Sequence, residues 1–383
     1  VTLKGKAGEA QAGNEVVLFR HEKKFFNRPG IFIRVVDTED DDAIAGKVSA
    51  AAAYSVDYVG MDLTIDGFAI EAASGDGARL AAVVEAVRAS TGLPLILVGD
   101  DPTVLDGGLG KLEGEAPLIM GADLTNWEAM ADLAAKYEAA LGVRGGSLEE
   151  LVELTEKIKD KGVEDLVLHP SVDGMSASLA LNTQIRRLAL KNFRPLGYPT
   201  IAFAEDSGDP GRDSVVAAQA ICKYAGFVVL DRFTPELAYP LLVLRENIYT
   251  DPQKPIQVLP ALYEINDPGP SDPLLVTTNF SITYFSVANE VEGAGLPAWL
   301  LVADAEGMSV LTAWAAGKFD AESIAKTVKE FGVADKIDRK SIVIPGHTAV
   351  LSGELEEELP DWEIRVGPRE AVDLPGFMKE VLT

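Results

Sequence analysis

Short apolar segments alternate with helical patterns along most of this chain, and this alternation is the strongest constraint on its fold. It is clearest from Leu274 to Phe319, where the apolar segments Leu274–Val276 and Ala298–Ala303 each lead through a turn into a helical pattern. Two further units begin at Ser341–Ile344 and Glu363–Val366. Four strands, each followed by a helix, predict an open α/β sheet. Ligands bind outside the carboxyl ends of the strands in such sheets, so the four turns after these strands form one candidate site.

The same alternation fills the first 250 residues. The predicted strands are Glu15–Phe19, Ile31–Val36, Tyr58–Leu63, Leu95–Val98, Leu118–Met120, Leu166–Leu168, Thr200–Phe203 and Phe227–Leu230. Helices are predicted in the gaps at Asp41–Tyr54, Gly77–Ser90, Asn126–Leu141, Ser147–Lys161, Leu179–Asn192 and Asp213–Tyr224. Gly142 and Gly162 have the position of glycines that follow helix ends. Eight strands alternating with helices predict a (β/α)8 TIM-like barrel, with an open doubly wound sheet as the alternative.

Proline density rises between Tyr239 and Pro273, where seven prolines occur. Helices do not continue through such spacing, so residues 251–273 are predicted to be an extended connector. The predicted organisation is a barrel at residues 1–250 and a smaller, Rossmann-like open α/β domain at residues 274–383.

The charge balance excludes several classes of partner. Sixty Asp and Glu residues against 34 Lys and Arg give a formal net charge of −26. So acidic a chain is not expected to bind nucleic acid or an anionic membrane surface. No uninterrupted apolar segment approaches the ~18 residues of a membrane-spanning helix, and a cytoplasmic location is expected.

Carboxylates are frequent in the loops expected after the barrel strands, and two interpretations are open. One is an independent barrel enzyme that uses loop carboxylates, with Asp62, Asp100 and His169 as the first residues to test. The other, which we favour for most of these residues, is that the acidic side chains, among them those of the Ala204–Asp206 loop, cap the following helices. His21 and His169 have no partner at ligand spacing, so no metal site is predicted.

Three stretches of the C-terminal region resemble a known family. They are VTTNFSITYF from Val276, PAWLLVADAEGMSVLTAWAAGKF from Pro297 and IPGHTAVLSGELEEELPDWEIRVGPREA from Ile344. They resemble the corrinoid-binding C-terminal domain of the corrinoid iron-sulfur protein, large (gamma) subunit, of the CO dehydrogenase/acetyl-CoA synthase system. The rest of the chain is similar to the middle domain of that family, a barrel that serves as a scaffold and contacts the small subunit.

The resemblance implies a methyl carrier of the reductive acetyl-CoA (Wood–Ljungdahl) pathway of carbon fixation. In that family a corrinoid accepts, as Co(I), a methyl group from methyltetrahydrofolate through a methyltransferase and delivers it to acetyl-CoA synthase. The implied partners are therefore the methyltransferase, acetyl-CoA synthase and the small (delta) subunit, which forms a heterodimer with the large one. No catalytic side chain is expected, because the cobalt is the nucleophile. A third possibility is a structural subunit that has lost its ligand.

The family also has an N-terminal domain in which four cysteines hold a four-iron four-sulfur cluster. This chain has one cysteine, Cys222, in an apolar helical pattern that is typical of a small buried side chain. The cluster is therefore expected only in a domain that is absent from this sequence.

The candidate corrinoid contacts lie in the turns after the four C-terminal strands. Helices that begin after Ser281, Ser309 and Thr348 would direct free backbone N–H groups toward a phosphate. Small residues would let the backbone approach a planar ligand, and apolar side chains could line a cavity for the nucleotide base. The residues implied by the resemblance are Thr278, Tyr284, Met308, Ser309, Val310, Leu311, Thr312, Gly346, His347, Thr348, Ala349, Gly367, Pro368, Arg369 and Ala371.

A histidine ligand to cobalt is not expected. Many cobalamin proteins supply one from an Asp-x-His-x-x-Gly motif, whereas this chain has Pro345 at the Asp position and Val350 at the Gly position around His347. The resemblance implies a corrinoid in the base-off, His-off form, and His347 is then expected to line the tail pocket or cap it.

Overall fold

The described residues of this chain, 1–58, 61–204, 207–251 and 256–382 in a computed structural model, belong to two units built on different sheets. The units divide at residues 252–253, and the short stretch Asp57–Met61 is grouped with the second unit. Up to residue 251 the elements, in chain order, are β1 (Thr2–Lys4), β2 (Glu9–Gln11), β3 (Gly30–Val36), α1 (Asp41–Ala52), β4 (Val56–Tyr58), β5 (Met61–Leu63), β6 (Gly67–Glu71), α2 (Gly77–Ser90), β7 (Leu95–Val98), α3 (Pro102–Leu109), β8 (Leu118–Ala122), α4 (Trp127–Tyr137), β9 (Ala140–Gly145), α5 (Leu148–Asp160), β10 (Leu166–Pro170), α6 (Met175–Leu190), β11 (Thr200–Ala204), α7 (Pro210–Cys222), β12 (Ala225–Leu230) and α8 (Pro235–Tyr249).

Eight parallel strands close into a barrel in the order β3, β6, β7, β8, β9, β10, β11 and β12. The inward side chains form one buried cluster that includes Phe32, Ile96 and Phe227. The hairpin of β1 and β2 adds Leu3 and Ala10 to this cluster, so the N-terminal end of the barrel interior is covered. The predicted barrel is confirmed, and the alternative of an open sheet for this unit is wrong.

The second unit is an open α/β sheet. Its elements are β13 (Ala261–Ile265), β14 (Leu274–Thr278), α9 (Ser281–Gly293), β15 (Ala298–Ala303), α10 (Val310–Ala315), α11 (Ala321–Glu330), α12 (Val333–Lys336), β16 (Ser341–Ile344), α13 (Ser352–Glu358), β17 (Glu363–Val366) and α14 (Leu374–Phe377). The strand order is β13, β15, β14, β16 and β17, and only β13 runs antiparallel to its neighbour. One core packs α10, α11 and α13 against the sheet, and another packs α9 and α14.

Two of the eight strands predicted for the barrel are wrong. Glu15–Phe19 is irregular, because Val16 and Phe19 are exposed instead of filling the barrel. The predicted strand Tyr58–Leu63 contains residues 59 and 60, which lie outside the described residues, and the parts on either side belong to a separate two-stranded sheet of β4 and β5.

The two barrel strands that the sequence did not predict, β6 and β9, both contain glycine. A Cβ on Gly67 would lie 2.4 Å from the ring of Phe32, and one on Gly142 would lie 2.3 Å from the Met120 sulfur. The Pro94 carbonyl oxygen would lie 2.3 Å from the Cβ on residue 67, so the backbone requires glycine there, whereas at position 142 the flexible Met120 side chain would have to move. Gly142 does not follow a helix end, since α4 ends at Tyr137 and Glu138 takes the left-handed conformation there.

The predicted connector at residues 251–273 contributes a strand to the second sheet. β13 lies between Pro260 and Pro268 and pairs with β15. The prolines flank the strand instead of interrupting it, which the rise in proline density did not reveal. Residues 252–255 lie outside the described part of the chain.

Arg245 on α8 joins the starts of two barrel strands. Its guanidinium is fully buried, donates to the Asp66 carboxylate, and donates to the Pro29 carbonyl at 3.2 Å. The same Asp66 carboxylate accepts from the Ile31 backbone N–H at 2.8 Å. The pair therefore fixes α8, the start of β3 and the start of β6 to one another.

Replacing Arg245 with Met should lower the free energy of unfolding by about 2–4 kcal/mol, because the half-buried Asp66 carboxylate loses its fully buried cation. The matched control is Lys111→Met, which removes the exposed ion pair with Glu85 (2.8 Å) and should cost less than about 1 kcal/mol. Urea unfolding followed by circular dichroism would measure both. Equal effects of the two substitutions would contradict the role given to Arg245.

Candidate functional site

The strand order of the second unit creates a crevice at the carboxyl end of its sheet. From β14 the chain passes to β15 on one side, and it then returns to β16 on the other side of β14. Loops that leave neighbouring strands in opposite directions leave a gap between them, where ligands bind in open α/β sheets. A cavity of about 560 Å³ lies there, at Thr277, Ile344 and Pro345.

The walls of this cavity come from α9 and from the loops after β15, β16 and β17. One face of α9 contributes Ile282, Thr283, Ser286, Val287, Asn289 and Glu290. The opposite side is formed by Ser309, Val310 and Leu311 at the start of α10, by His347, and by Gly367, Pro368, Arg369, Glu370, Ala371 and Val372. The volume falls within the ~300–1,000 Å³ of small-molecule sites.

Close backbone packing holds the loops after β16 and β17 together. The Gly346 N–H donates to the Pro368 carbonyl at 3.0 Å, and a Cβ on Gly346 would lie 2.5 Å from the Gly367 carbonyl oxygen. Glycine is therefore required at position 346 for contact between two loops. At the cavity, Nε2 of His347 lies 3.9 Å from Oε1 of Glu370, which bridges the same two loops.

A buried asparagine shapes the loop after β15. The side-chain oxygen of Asn279 accepts from the backbone N–H groups of Ala305 and Gly307, both at 2.9 Å, and its Nδ2 donates to Asp304 at 3.0 Å. Gly307 has a φ of +72°, which favours glycine. These bonds fix the turn that leads to Ser309, whose hydroxyl lies 3.0 Å from that of Thr312.

Thr277 brings an unsatisfied polar group to the cavity wall. Its side chain is buried, and its hydroxyl oxygen has no hydrogen-bond partner among the described residues. A buried hydroxyl without a partner costs roughly 1–3 kcal/mol. A ligand in the cavity that hydrogen-bonds to Thr277 would remove this cost.

The cavity is bordered by exposed apolar side chains. Ile282 is 66% exposed, Leu311 is 46% exposed and Val372 is 66% exposed, and all three line the cavity. Apolar side chains that cluster around a concave site are typical of surfaces that a ligand or a partner covers.

Eight of the fifteen candidate contact residues line this cavity, namely Ser309, Val310, Leu311, His347, Gly367, Pro368, Arg369 and Ala371. The other seven, Thr278, Tyr284, Met308, Thr312, Gly346, Thr348 and Ala349, do not line it. Thr278 follows Thr277 in a strand, so its side chain points to the opposite face of the sheet.

Packing also explains why others of these residues lie outside the cavity lining. Met308 packs against the core under α10, α11 and α13. Tyr284 packs against Tyr263 with ring centroids 5.1 Å apart, and burial raises the pKa of both phenols. Thr348 is fully buried and donates to the Pro345 carbonyl at 3.0 Å. The helix predicted after Thr348 is instead a 3-10 turn, and α13 begins at Ser352.

Sequence reasoning did not select Thr277 or the cavity face of α9. The sequence did contain a signal for the cavity face of α9, because this helix has apolar residues outside the face that packs against the core. Ala288 and Val291 fill the core, whereas the exposed Ile282 lines the cavity. A surface helix with apolar residues beyond its core stripe indicates a second contact.

The barrel residues named for the enzyme hypothesis lie at different places. Asp62 belongs to β5 and precedes β6, so it does not follow a barrel strand. Asp100 follows β7 and pairs with Arg144 at 3.1 Å, and His169 lies on β10, three positions along the sheet from β7. Residues Glu205 and Asp206 lie outside the described residues. In the described ranges no group of three or more His, Cys, Asp or Glu side chains is arranged to hold a metal ion.

His169 is in an environment that disfavours its charged form. Its ring lies against that of Phe203, with centroids 5.0 Å apart. Burial, with a smaller contribution from the charge of Arg144, lowers the pKa of His169 from 6.5 to about 4. The imidazole is therefore neutral at neutral pH.

No helix within residues 1–58, 61–204, 207–251 and 256–382 is both long and apolar enough to cross a membrane.

Comparison with known proteins gives one family for nearly the whole chain. The sequence profile described as CO dehydrogenase/acetyl-CoA synthase delta subunit matches residues 1–378. The corrinoid/iron-sulfur protein large subunit of Moorella thermoacetica is 43% identical over 370 residues, which are 96% of this chain and 82% of that protein. The acetyl-CoA decarbonylase/synthase complex subunit gamma of Methanopyrus kandleri is 35% identical over 387 residues, covering 97% of this chain and 83% of that protein.

Solved structures similar to this chain include dihydropteroate synthases. The enzyme from Thermus thermophilus is 19% identical, covers 65% of this chain and 100% of its own, and has a TM-score of 0.45.

The pKa of His169 gives a prediction about pH. The folded state holds the ring neutral down to about pH 4, whereas the unfolded chain takes up this proton near pH 6.5. The free energy of unfolding should therefore fall as the pH falls from about 6.5 to 4, and this group should contribute no pH dependence above that range. In an NMR titration the ring resonance that is lost in His169→Gln should have its midpoint near pH 4. A midpoint near 6.5 would show that the ring is solvated.

Proposed function

This chain belongs to the family described as the CO dehydrogenase/acetyl-CoA synthase delta subunit, with relatives named as large or gamma subunits, and we propose that its second unit binds a corrinoid for methyl transfer. The observation that carries the proposal is the cavity of about 560 Å³ at the reversal of strand order, because the segments that resemble the corrinoid-binding family build it. The Moorella thermoacetica relative is named a corrinoid/iron-sulfur protein, which supports a corrinoid as the ligand.

The residues at the cavity fit such a ligand in three ways. Thr277 offers a buried hydroxyl that lacks a partner, and Ser309 and Arg369 offer further polar groups. The first turn of α9 adds backbone N–H groups that have no acceptor within the helix. The exposed side chains of Ile282 and Leu311 offer apolar surface at the border. A corrinoid is larger than the cavity, so we propose that the cavity takes the nucleotide tail and that the apolar border contacts the remainder.

When bound, the corrinoid would supply a cobalt centre that takes a methyl group from methyltetrahydrofolate through a methyltransferase and passes it to acetyl-CoA synthase. The chain itself would bind and orient the cofactor. Gly346 and Asn279 hold the loops in place, and the cavity wall would surround part of the tail. No acid or base in this unit is assigned a role in the transfer.

We propose that cobalt has no histidine ligand from this chain, in the base-off, His-off form. His347 lies beside Glu370 on loops that are held by the Gly346 contact, and we assign it to the wall of the tail pocket. The iron-sulfur part of the relative's name has no counterpart in the described residues, because such clusters need several thiolates and this chain has Cys222 alone.

We propose that the small subunit, a separate chain, covers the cavity and its apolar border in a heterodimer, and that the methyltransferase and acetyl-CoA synthase are successive partners. The exposed side chains of Ile282, Leu311 and Val372 support a cover of this kind. The name of the Methanopyrus kandleri relative, a subunit of an acetyl-CoA decarbonylase/synthase complex, supports partners of this class.

The test is a visible spectrum of the purified chain with added cobalamin, recorded with and without the small subunit. The expected result is a stable, base-off corrinoid spectrum that responds to a low-potential reductant and then to the methyl donor system. A chain that takes up no corrinoid, even with the small subunit present, would contradict the proposal.

Thr277→Val should weaken corrinoid binding about 5- to 30-fold, because the ligand loses a hydrogen bond of about 1–2 kcal/mol. The stability of the free chain should stay unchanged or rise, since an unsatisfied hydroxyl is removed. Thr278→Val is the matched control, because it removes a buried hydroxyl that also lacks a partner but lies outside the cavity. Equal losses of affinity in both variants, measured by titration, would show that Thr277 has no special role.

His347→Gln should leave the absorption bands of the bound corrinoid at the same wavelengths, because the imidazole does not ligate cobalt in this proposal. Glutamine retains a polar side chain at the cavity wall, so the affinity should change only modestly. A shift of the bands to those of a different axial ligation would contradict the His-off assignment.

A further inference from the structure

The wall of the barrel is weakly paired between β10 and β11. These two strands pair at one position, Leu168 with Thr200, whereas β10 pairs with β9 at five positions. Pro170, the last residue of β10, has no N–H group, so it cannot donate to β11. The two strands are therefore not held together toward their carboxyl ends.

A cavity of about 460 Å³ lies at this break in the wall, within the first unit. His169 and Phe203 reach it from the interior of the barrel, whereas Ala202 reaches it from the side of the helices. One face of α6, from Met175 to Asn182, and one face of α7, from Arg212 to Lys223, form its sides. We call this cavity the α6–α7 cleft.

The packing of α6 keeps the cleft open. The only buried residues of this 16-residue helix are Ile185 and Arg186, so its first ten residues contain no buried side chain. In α7, by contrast, Asp213, Ala217 and Ile221 are buried along the length of the helix. The first half of α6 therefore covers the break between β10 and β11 without filling it.

Two amide side chains leave their oxygen atoms available in the cleft. Nδ2 of Asn182 donates to the Ser178 carbonyl at 2.9 Å, and Nε2 of Gln219 donates to the Met175 carbonyl at 2.9 Å. In the described part of the chain, neither these amide oxygens nor the ring nitrogens of His169 have a hydrogen-bond partner. A ligand that matches the two oxygens carries N–H donors.

A cation lies at each end of the α7 side of the cleft. Arg212 and Lys223 are about 16 Å apart along the helix axis, and neither forms an ion pair with another described residue. The helix dipole favours Lys223 at the end of α7 but disfavours Arg212 in its first turn. Two carboxylates also line the cleft, the exposed Asp173 and Asp213, which pairs with Arg232 at 3.3 Å. Arg212 is therefore the cation that the fold itself does not explain.

We propose that the α6–α7 cleft binds a purine mononucleotide, with the base at Asn182 and Gln219 and the phosphate at Arg212. The rings of His169 and Phe203, with centroids 5.0 Å apart, offer aromatic surface to a planar base. The amino group of adenine or guanine supplies the donors that the amide oxygens accept, and phosphate is the anion that a guanidinium binds best. Ordered water could satisfy the amide oxygens, but it would give no role to the aromatic surface or to Arg212.

The test measures binding of AMP and GMP to the full chain by calorimetry, with NMR of the His169 ring as a second readout. Each nucleotide is compared with its nucleoside, which lacks the phosphate, and with an analogue that lacks the amino group. These analogues are purine riboside 5′-monophosphate for AMP and inosine 5′-monophosphate for GMP. We expect AMP or GMP to bind and to shift the ring resonance that is lost in His169→Gln. The nucleoside should bind about tenfold more weakly, and the analogue about fivefold more weakly.

Two pairs of variants locate the site. Arg212→Gln should weaken nucleotide binding about tenfold and leave nucleoside binding within about twofold, whereas Arg187→Gln, an exposed arginine of α6 outside the cleft, should change neither. Ala220→Trp would fill the cleft and should abolish binding of every probe, whereas Ala180→Trp, on the exposed side of α6, should not. Circular dichroism would check the fold of each variant. Corrinoid uptake should be the same in all four, so this outcome is separate from that of the corrinoid proposal.

Three outcomes would overturn the proposal. The first is that neither AMP nor GMP binds at concentrations up to about 1 mM, with the His169 resonance unmoved. The second is that nucleotide, nucleoside and analogue bind equally well to the parent chain and to Arg212→Gln. The third is a folded Ala220→Trp variant that binds nucleotide as the parent does, since the nucleotide would then bind outside the cleft.

Discussion

The reversal of strand order around β14 is the constraint on which the candidate site depends. Because β15 and β16 pair with opposite edges of β14, the loops after β14 and β16 diverge and leave space at Thr277 and Pro345. An open sheet whose strands were added in one direction only would have no such gap at this position. The connection from β15 to β16 also places helices on the second face of the sheet. The position of the site is therefore determined by the strand order, and particular side chains determine only its lining.

Within that gap, the loops are held by contacts that leave little freedom. Gly346 lets two backbones meet, and Asn279 satisfies the N–H groups of Ala305 and Gly307. The backbone N–H groups of Ala305, Gly307 and Gly346 are therefore paired within the protein. The hydroxyl of Thr277 is an exception among the described residues of the cavity wall. A rigid frame with an unsatisfied group at its centre is the arrangement expected of a preorganised binding site.

The sequence predicted the parts of the fold that depend on local pattern. Leu95–Val98, Ala298–Ala303 and Ser341–Ile344 were placed with the bounds that the structure has, because each is an uninterrupted apolar segment between turn residues. β6 and β9 were missed, and each contains a glycine whose position lies close to Phe32 or Met120 on a neighbouring strand. Such a close approach comes from contacts between residues distant in sequence, which local pattern does not contain.

For the candidate site, too, local pattern predicted one part, and contacts between distant residues determined the rest. The loops that line the cavity were predicted, because turns after parallel strands converge at one edge of a sheet. Thr278 was selected, whereas Thr277 lines the cavity, since alternate strand residues face opposite sides and the sequence does not say which helices cover each side. Gly346 was selected for approach to a ligand, and its role in the structure is contact with the loop at Gly367. Side-chain direction and loop-to-loop contact required the three-dimensional arrangement.

The most direct test of the central claim is a crystal structure of the corrinoid-loaded chain with anomalous diffraction measured at the cobalt edge. We expect one cobalt peak at the opening of the cavity, beside the loops that begin at Ser309 and Gly367, with the tail of the corrinoid in contact with Thr277. A cobalt peak at the barrel, or none in crystals that show corrinoid colour, would contradict the account.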